Sequence, residues 1–210
     1  MLFNRILDDV ARAEYQVAIF KMASLSPQMN SRKPERSNVQ QAWMMNTIER
    51  LHLNKSEQIL CVGCYEDTAH DALNQFGYNS LGIDPCVNGI TLEQFSNSTI
   101  PRAKDYPIVY ATSVIEHVVD DKTFIKDMCS LVSSKGYLLL TTDFKEGWQP
   151  GMGAPTTSHR FYTKESLHEL ETLLAAEGFE LVGDVNWEGA MDFTWEGYHY
   201  AFATLAAQKV

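Results

Sequence analysis

Residues 59–84 read ILCVGCYEDTAHDALNQFGYNSLGID, and the succession of patterns inside them decides the fold. Gln58–Val62 (QILCV) is a short, continuous apolar run, the pattern of a strand buried on both faces. Gly63 follows it, where a glycine lets the backbone turn sharply and approach a ligand closely. Thr68–Phe76 has helical spacing and stops at Gly77, a favoured residue just past a helix end. Ser80–Ile83 is a second strand, closed by Asp84-Pro85. Strand, helix and strand in this order specify a parallel pair joined by a crossover.

The same alternation continues outward. Tyr106–Ala111 (YPIVYA) is a buried strand, and Val114–Val119 and Lys122–Val132 have helical spacing. Ser133–Gly136 is a turn, and Tyr137–Thr142 (YLLLTT) is a strand. Lys164–Glu177 is a helix with Thr163 as its N-cap. Phe179–Trp187 and His199–Gln208 read as strands with no helical pattern between them. Their connection, Glu188–Tyr198, is rich in glycine and aromatics, which predicts a C-terminal antiparallel hairpin. Upstream, apolar residues from Leu2 to Leu25 fall near helical spacing and predict one amphipathic helix over residues 1–25. Ser26–Asn38 reads as a loop, and Val39–Leu51 as a helix. The pattern predicts an α/β fold, a doubly wound, mostly parallel sheet. Residues 1–52 form an N-terminal helical extension covering the site, and residues 53–210 the catalytic domain.

Composition narrows the function. The chain has 210 residues, 45% of them hydrophobic, enough for one full core without staples. A formal net charge of −10 argues against sequence-independent binding of nucleic acid. Arg32, Lys33 and Arg36 form the one basic cluster and read as a solvated loop. Cys61 and Cys64 make a lone CxxC with no second ligand pair, so no metal is predicted. The opening residues carry acids where a leader needs an apolar core, and no run approaches the roughly 18 apolar residues of a membrane span. The expectation is a soluble, cytoplasmic protein.

In open α/β sheets, ligands bind beyond the carboxyl ends of the strands. Asp84 stands about 20 residues past Gly63, placed to accept hydrogen bonds from ribose hydroxyls. The succession resembles the class I S-adenosylmethionine-dependent methyltransferases. ILCVGCYED is similar to that family's glycine-rich first motif, LGIDP to its ribose-binding acid, and YPIVYATSVIEHV with LVSSKGYLLLTTDF to its fourth and fifth strands. HRFYTKESLHELETLLAAEGFELV is similar to the segment that often follows. The resemblance implies a seven-stranded Rossmann-like sheet with an antiparallel last strand, and S-adenosylmethionine as cofactor. It implies that Gly63, Cys64 and Tyr65 pass under the cofactor's amino-acid part and that Asp84 and Pro85 meet its ribose. Thr112, Ser113 and Val114 line its methionine part, and 90–100 lies near the adenine. Cys61 stands where the family commonly has an acid, and Tyr65 and Asp67 where later glycines would be. The dinucleotide fingerprint GxGxxG is absent.

Methyl transfer to an oxygen needs help removing its proton. His159 and His117 are the candidate bases; the alternative for Glu116-His117 is to cap and orient the local chain. Some family members hold a divalent metal with ExxEH, but Ser113 takes the first place of that pattern here, which leaves two ligands. The connection Phe144–Thr163 reads as a substrate lid, because long loops at a ligand edge are usually functional. Asp143, Trp148, Arg160 and Tyr162 are its candidate substrate contacts. The aromatics Trp187, Trp195, Tyr198 and Tyr200 suit either a wall for a ring substrate or hairpin packing. The N-terminal helices are candidates to cover the site or to form a homodimer surface. The resemblance points to O-methylation of a small molecule or sugar of a bacterial glycan or natural-product pathway. A catalytically silent binding or scaffolding relative is the alternative, and a third reading puts the same cofactor to another chemistry.

Overall fold

The computed structural model describes residues 2–51, 54–98 and 105–210. β1 (Leu2–Leu7) opens the chain, followed by α1 (Asp9–Glu14), α2 (Gln16–Leu25) and a short α3 (Pro27–Asn30). α4 (Asn38–Arg50) leads to β2 (Gln58–Val62), α5 (Thr68–Gln75) and β3 (Asn79–Ile83). Then come α6 (Leu92–Ser96), β4 (Tyr106–Thr112), α7 (Asp121–Leu131) and β5 (Val132–Phe144). α8 (Lys164–Ala176), β6 (Phe179–Leu181), β7 (Asp184–Asn186), β8 (Phe193–Trp195) and β9 (Tyr198–Lys209) complete it.

The strands run in the order β3-β2-β4-β5-β9-β1-β7, with β6 and β8 also pairing with β9. β3, β2, β4 and β5 are mutually parallel, and β9 enters antiparallel to β5. This is the expected doubly wound α/β sheet, with nine strands among the described residues instead of seven. Side chains alternate between two cores. Along β9, Ala201, Ala203, Leu205 and Ala207 face one core, and Tyr200, Phe202 and Ala206 the other. The first core is closed by apolar faces of α7 and α8, such as Ile125, Met128, Leu167 and Leu170. The second is closed by α2, α4 and α5 through Met22, Trp43, Met44 and Leu73. Among the described residues no helix is long and apolar enough to cross a membrane.

The N-terminus differs from the single helix expected over residues 1–25. Residues 2–7 are a strand, and the helical part begins only after Asp8, whose carboxylate accepts from Ala11 N at 3.1 Å as an N-cap. Asn4 explains the strand. Its Nδ2 donates to Val182 O at 2.9 Å, and its Oδ1 accepts from Ala206 N at 2.8 Å. A fully buried amide with both functions met ties β1 to β9 and to the end of β6. Further expectations are corrected. Ser26–Asn38 contains α3 and a 3-10 turn at Glu35–Ser37. Val114–Val119 shortens to a single 3-10 turn, Ile115–His117, and Ser133–Gly136 is the start of β5. Phe179–Trp187 breaks at Gly183, whose φ is +71°, so β6 pairs with β9 and β7 with β1. The hairpin partner of β9 is β8, which lies inside the expected loop. The expected boundary at residues 52 and 53 falls outside the described residues.

Asn4→Leu removes both hydrogen bonds and leaves a buried carbonyl and amide unmet. The expected loss is about 1–3 kcal/mol of unfolding free energy, read from urea unfolding. An unchanged midpoint would sink the assignment of Asn4 as the tie between these strands.

Candidate functional site

Strand register gathers the site. Cys61 pairs with Tyr110 and Thr112 with Thr141, so the carboxyl ends of β2, β4 and β5 meet in one row. Gly63 turns the chain there with φ +79°, and a Cβ at this position would lie 2.5 Å from Val114 Cγ2. Its N–H donates to Ile83 O at 2.8 Å, fastening the turn to β3. Asp84, 8% exposed, holds the same turn from the other side. Its Oδ2 accepts from Tyr65 N at 3.2 Å and its Oδ1 from Cys86 N at 2.6 Å. Each oxygen keeps acceptor capacity for a further donor. Pro85 continues the turn after Asp84, and Tyr65 points out, 55% exposed. Burial pushes the Cys64 thiol up to about 11, and raises Cys61 as well, so both pack as small thiols and not as thiolates. Among the described residues no group of three or more His, Cys, Asp or Glu is placed to hold a metal ion.

Two non-glycine residues here adopt the left-handed region, Glu66 at φ +56° and Ser113 at φ +51°. Such backbone persists where surrounding structure enforces it, often at functional sites. Ser113 is held by Gln40 of α4, whose Oε1 accepts from Ser113 Oγ at 2.6 Å and from Thr141 Oγ1 at 2.8 Å. Buried polar atoms without a hydrogen-bond partner among the described residues include Asp67 Oδ2, Thr112 Oγ1 and Glu116 Oε1. With Gly63 packed on Val114 at the turn and Asp84 at a strand end, these unmet acceptors and donors suit a polar ligand along the row.

Beside the row lies a cavity of about 270 Å³. Ser113, Glu116 and His117 line it from the end of β4, Asp143 from β5, Tyr200 from β9, and Arg32 and Lys33 from the N-terminal segment. Glu116 is fully buried, and its Oε2 accepts from Thr142 Oγ1 at 3.3 Å. Burial raises its pKa above the usual carboxylate range. Asp143, 6% exposed, is driven well above that range by burial first and then by the adjoining Glu116 carboxyl. The Tyr200 hydroxyl, donating to Asp143, and the charge of Lys33 act the other way. His117 Nδ1 lies 2.9 Å from Thr157 O. A carbonyl can only accept, so Nδ1 carries the proton and Nε2 remains a free base in the neutral ring. Trp195, 46% exposed, adds an indole to the lining.

Other residues singled out from the sequence lie elsewhere. Trp148, Arg160 and Tyr162 line a second cavity of about 360 Å³. Arg160 donates to the carbonyls of Val118 and Val119 at 2.8 and 2.6 Å and pairs with Asp121 at 2.5 Å. The Tyr162 hydroxyl also donates to Asp121, at 2.8 Å, and Trp148 Nε1 to Gly153 O at 3.2 Å. The Phe144–Thr163 connection is therefore tied mainly to the segment that follows β4, at Val118, Val119 and Asp121. His159 is exposed, donates through its backbone N–H to Glu116 O at 2.8 Å, and is not among the residues lining the 270 Å³ cavity. In the segment expected near the adenine, Ile90, Leu92 and Phe95 pack on the first core, while 99–100 lies outside the described residues. Sequence reasoning missed Gln40. A glutamine pair, Gln40 and Gln41, on a helix buried over ten of its 13 residues was the available signal. Gly63→Ala is expected to cost about 1–3 kcal/mol of stability through the forced left-handed backbone, measured by chemical unfolding. A loss under a few tenths would contradict the strain.

The profile of a methyltransferase domain family matches residues 36–183. The chain is 26% identical to the mitochondrial ubiquinone biosynthesis O-methyltransferase of Homo sapiens, over 59% of this chain and 42% of that protein. It is 25% identical to the ubiquinone biosynthesis O-methyltransferase of Azorhizobium caulinodans, over 60% of each. It thus spans 42% and 60% of the length of these relatives, less than two thirds of either. Among solved structures it is similar to the magnesium protoporphyrin IX methyltransferase of Synechocystis with bound S-adenosylhomocysteine. That match has a TM-score of 0.56 and 15% identity, covering 83% of this chain and 85% of the other. It is also similar to the 1,6-didemethyltoxoflavin-N1-methyltransferase of Burkholderia thailandensis, with a TM-score of 0.55 and 18% identity, covering 92% and 88%. A family match over most of the chain, on a sheet whose strand ends form the site described above, makes this chain a member of the class I S-adenosylmethionine-dependent methyltransferases.

Proposed function

We propose that the chain methylates a hydroxyl of a small molecule or sugar, of the kind made in a bacterial glycan or natural-product pathway. The observation that carries the reading is His117 at the edge of the 270 Å³ cavity, its Nδ1 held by Thr157 O and its Nε2 free. An oxygen nucleophile needs a base of that kind at that place. Similarity to two relatives named as O-methyltransferases supports oxygen as the acceptor atom.

S-adenosylmethionine, when bound, supplies an already activated methyl group. The residues of this chain have the remaining tasks. Gly63, Cys64 and Tyr65 form the turn under the cofactor, Asp84 and Pro85 meet its ribose, and Thr112, Ser113 and Val114 line its methionine part. Residues 1–52 serve as the cover, with Arg32 and Lys33 at the cavity rim. The half-exposed Trp195 offers a flat apolar face to a ring. His117 Nε2 takes the hydroxyl proton as the new C–O bond forms and the C–S bond breaks. His159, outside the cavity lining, has no part in this reading.

Calorimetric titration with S-adenosylmethionine tests the first half. Asp84→Ala is expected to weaken binding by at least about tenfold, one lost pair of ribose contacts. No binding at millimolar cofactor defeats the proposal. Mass spectrometry of a metabolite extract incubated with enzyme and methyl-labelled cofactor tests the second half. His117→Asn is expected to lower kcat about 100-fold, while His159→Asn stays near wild type. The reverse ranking of the two histidines would reject His117 as the base.

A further inference from the structure

Glu116 and Asp143 come from different strand ends and bring two buried carboxyls together on one cavity wall. Glu116 Oε1 has no hydrogen-bond partner among the described residues. Two buried carboxyls lining one cavity cannot both ionise cheaply, so such a pair retains a proton. The groups that face it are few and named. His117 follows Glu116, Tyr162 stands near Glu116, and Tyr200 and Lys33 face Asp143. Arg32 and Glu66 line the same cavity. Neither carboxyl has an arginine or lysine ion pair among the described residues. A charge as remote as Lys33 already favours ionisation of Asp143. A full positive charge arriving at the adjacent row of strand ends acts in the same direction, and more strongly in a desolvated site.

We propose that the Glu116–Asp143 pair is a proton-linked counter-charge for the cofactor's sulfonium: it keeps its proton in the free protein and releases it when the cation binds. The proposal rests on the methyltransferase reading. It gives the chain a way to tell cofactor from spent cofactor, because S-adenosylhomocysteine is a neutral thioether at that atom. The proton balance of turnover follows. As the acceptor oxygen takes the methyl group, the C–S bond electrons return to sulfur and the sulfonium charge disappears. The acceptor's proton, collected at His117, passes to the ionised pair beside it. The pair is then protonated again and favours exchange of product for fresh cofactor. By reciprocity, a cation that expels the proton binds more tightly where the proton is already lost.

Isothermal titration of the whole protein near neutral pH tests this, with S-adenosylmethionine and S-adenosylhomocysteine in buffers of different ionisation enthalpy. S-adenosylmethionine is expected to release about one proton more than S-adenosylhomocysteine. Asp143→Asn and Glu116→Gln are each expected to remove that difference and to lower the affinity ratio of the two ligands by about tenfold. Both variants are expected to melt at or above the wild-type temperature at pH 7, since a neutral amide suits a buried site better than an ionised carboxyl. The wild-type comparison stands even where a variant fails to fold. Equal proton release for both ligands overturns the proposal. So does a difference that survives in both carboxyl variants but vanishes in His117→Asn, which would assign the proton to the imidazole. Failure of both ligands to bind overturns the cofactor reading, and the proposal with it.

Discussion

β9 is the constraint on which the rest of this molecule depends. It pairs with β5 over eight residues, from Tyr137 opposite Gln208 to Phe144 opposite Ala201. It also pairs with β1, β6 and β8. Among the described residues no other strand holds so many partners together. Its sequence suits a strand covered on both faces. Ala201, Ala203, Ala206 and Ala207 are nearly bare of side chain, so larger groups from both helical layers pack close against it. Without β9, β5 would be an edge, and its carboxyl end would face water instead of a cavity.

The register of β9 also sets the chemistry. Asp143 stands opposite Phe202, so Tyr200, two residues away on the same face, reaches the Asp143 carboxyl. A slip of one residue would turn every side chain of β9 to the opposite core and remove Tyr200 from the site. Asn4 works against that slip. It bonds Ala206 N from β1 while Thr204 Oγ1 donates to Phe3 O at 2.7 Å. Two polar side chains buried inside an apolar sheet are satisfied in one register, which converts a packing surface into a fixed alignment.

This explains what was legible in the sequence. β2, β4 and β5 stood out because strands buried on both faces are continuous apolar runs. α5 and α8 stood out because Gly77 and Thr163 punctuate them locally; Thr163 Oγ1 accepts from Ser166 N at 3.3 Å as a cap. The places of Gly63 and Asp84 just past strands were legible, whereas Asp143, expected after the strand, lies inside β5. β1 was not, because its apolar residues continue into those of α1 and α2 at near-helical spacing. What makes it a strand are bonds to residues almost 200 positions away. Gln40 was hidden for the same reason, since its partners, Ser113 and Thr141, lie far along the chain. Arg160 and Tyr162 have partners that are hidden in the same way. Their polarity suggested substrate, but both converge on Asp121.

The carboxyl pair is then the feature that folding alone does not account for. Replacing buried charged groups by apolar ones of similar size is often neutral or stabilising. Neither acid caps a helix or closes a sheet, and neither has a cationic ion-pair partner among the described residues. Their neighbours compensate only in part: Thr142 donates to Glu116 and Tyr200 to Asp143, but Ser113 beside them is strained and Glu116 Oε1 is unmet. Elsewhere the same chain meets buried amide groups, as at Asn4 and at the Gln40 side-chain carbonyl. A fold able to satisfy those amides had the means to satisfy or omit these carboxyls. Retaining them without a cation beside the strand ends is the arrangement that a visiting cation resolves, and it concentrates the cost of the site where a ligand repays it.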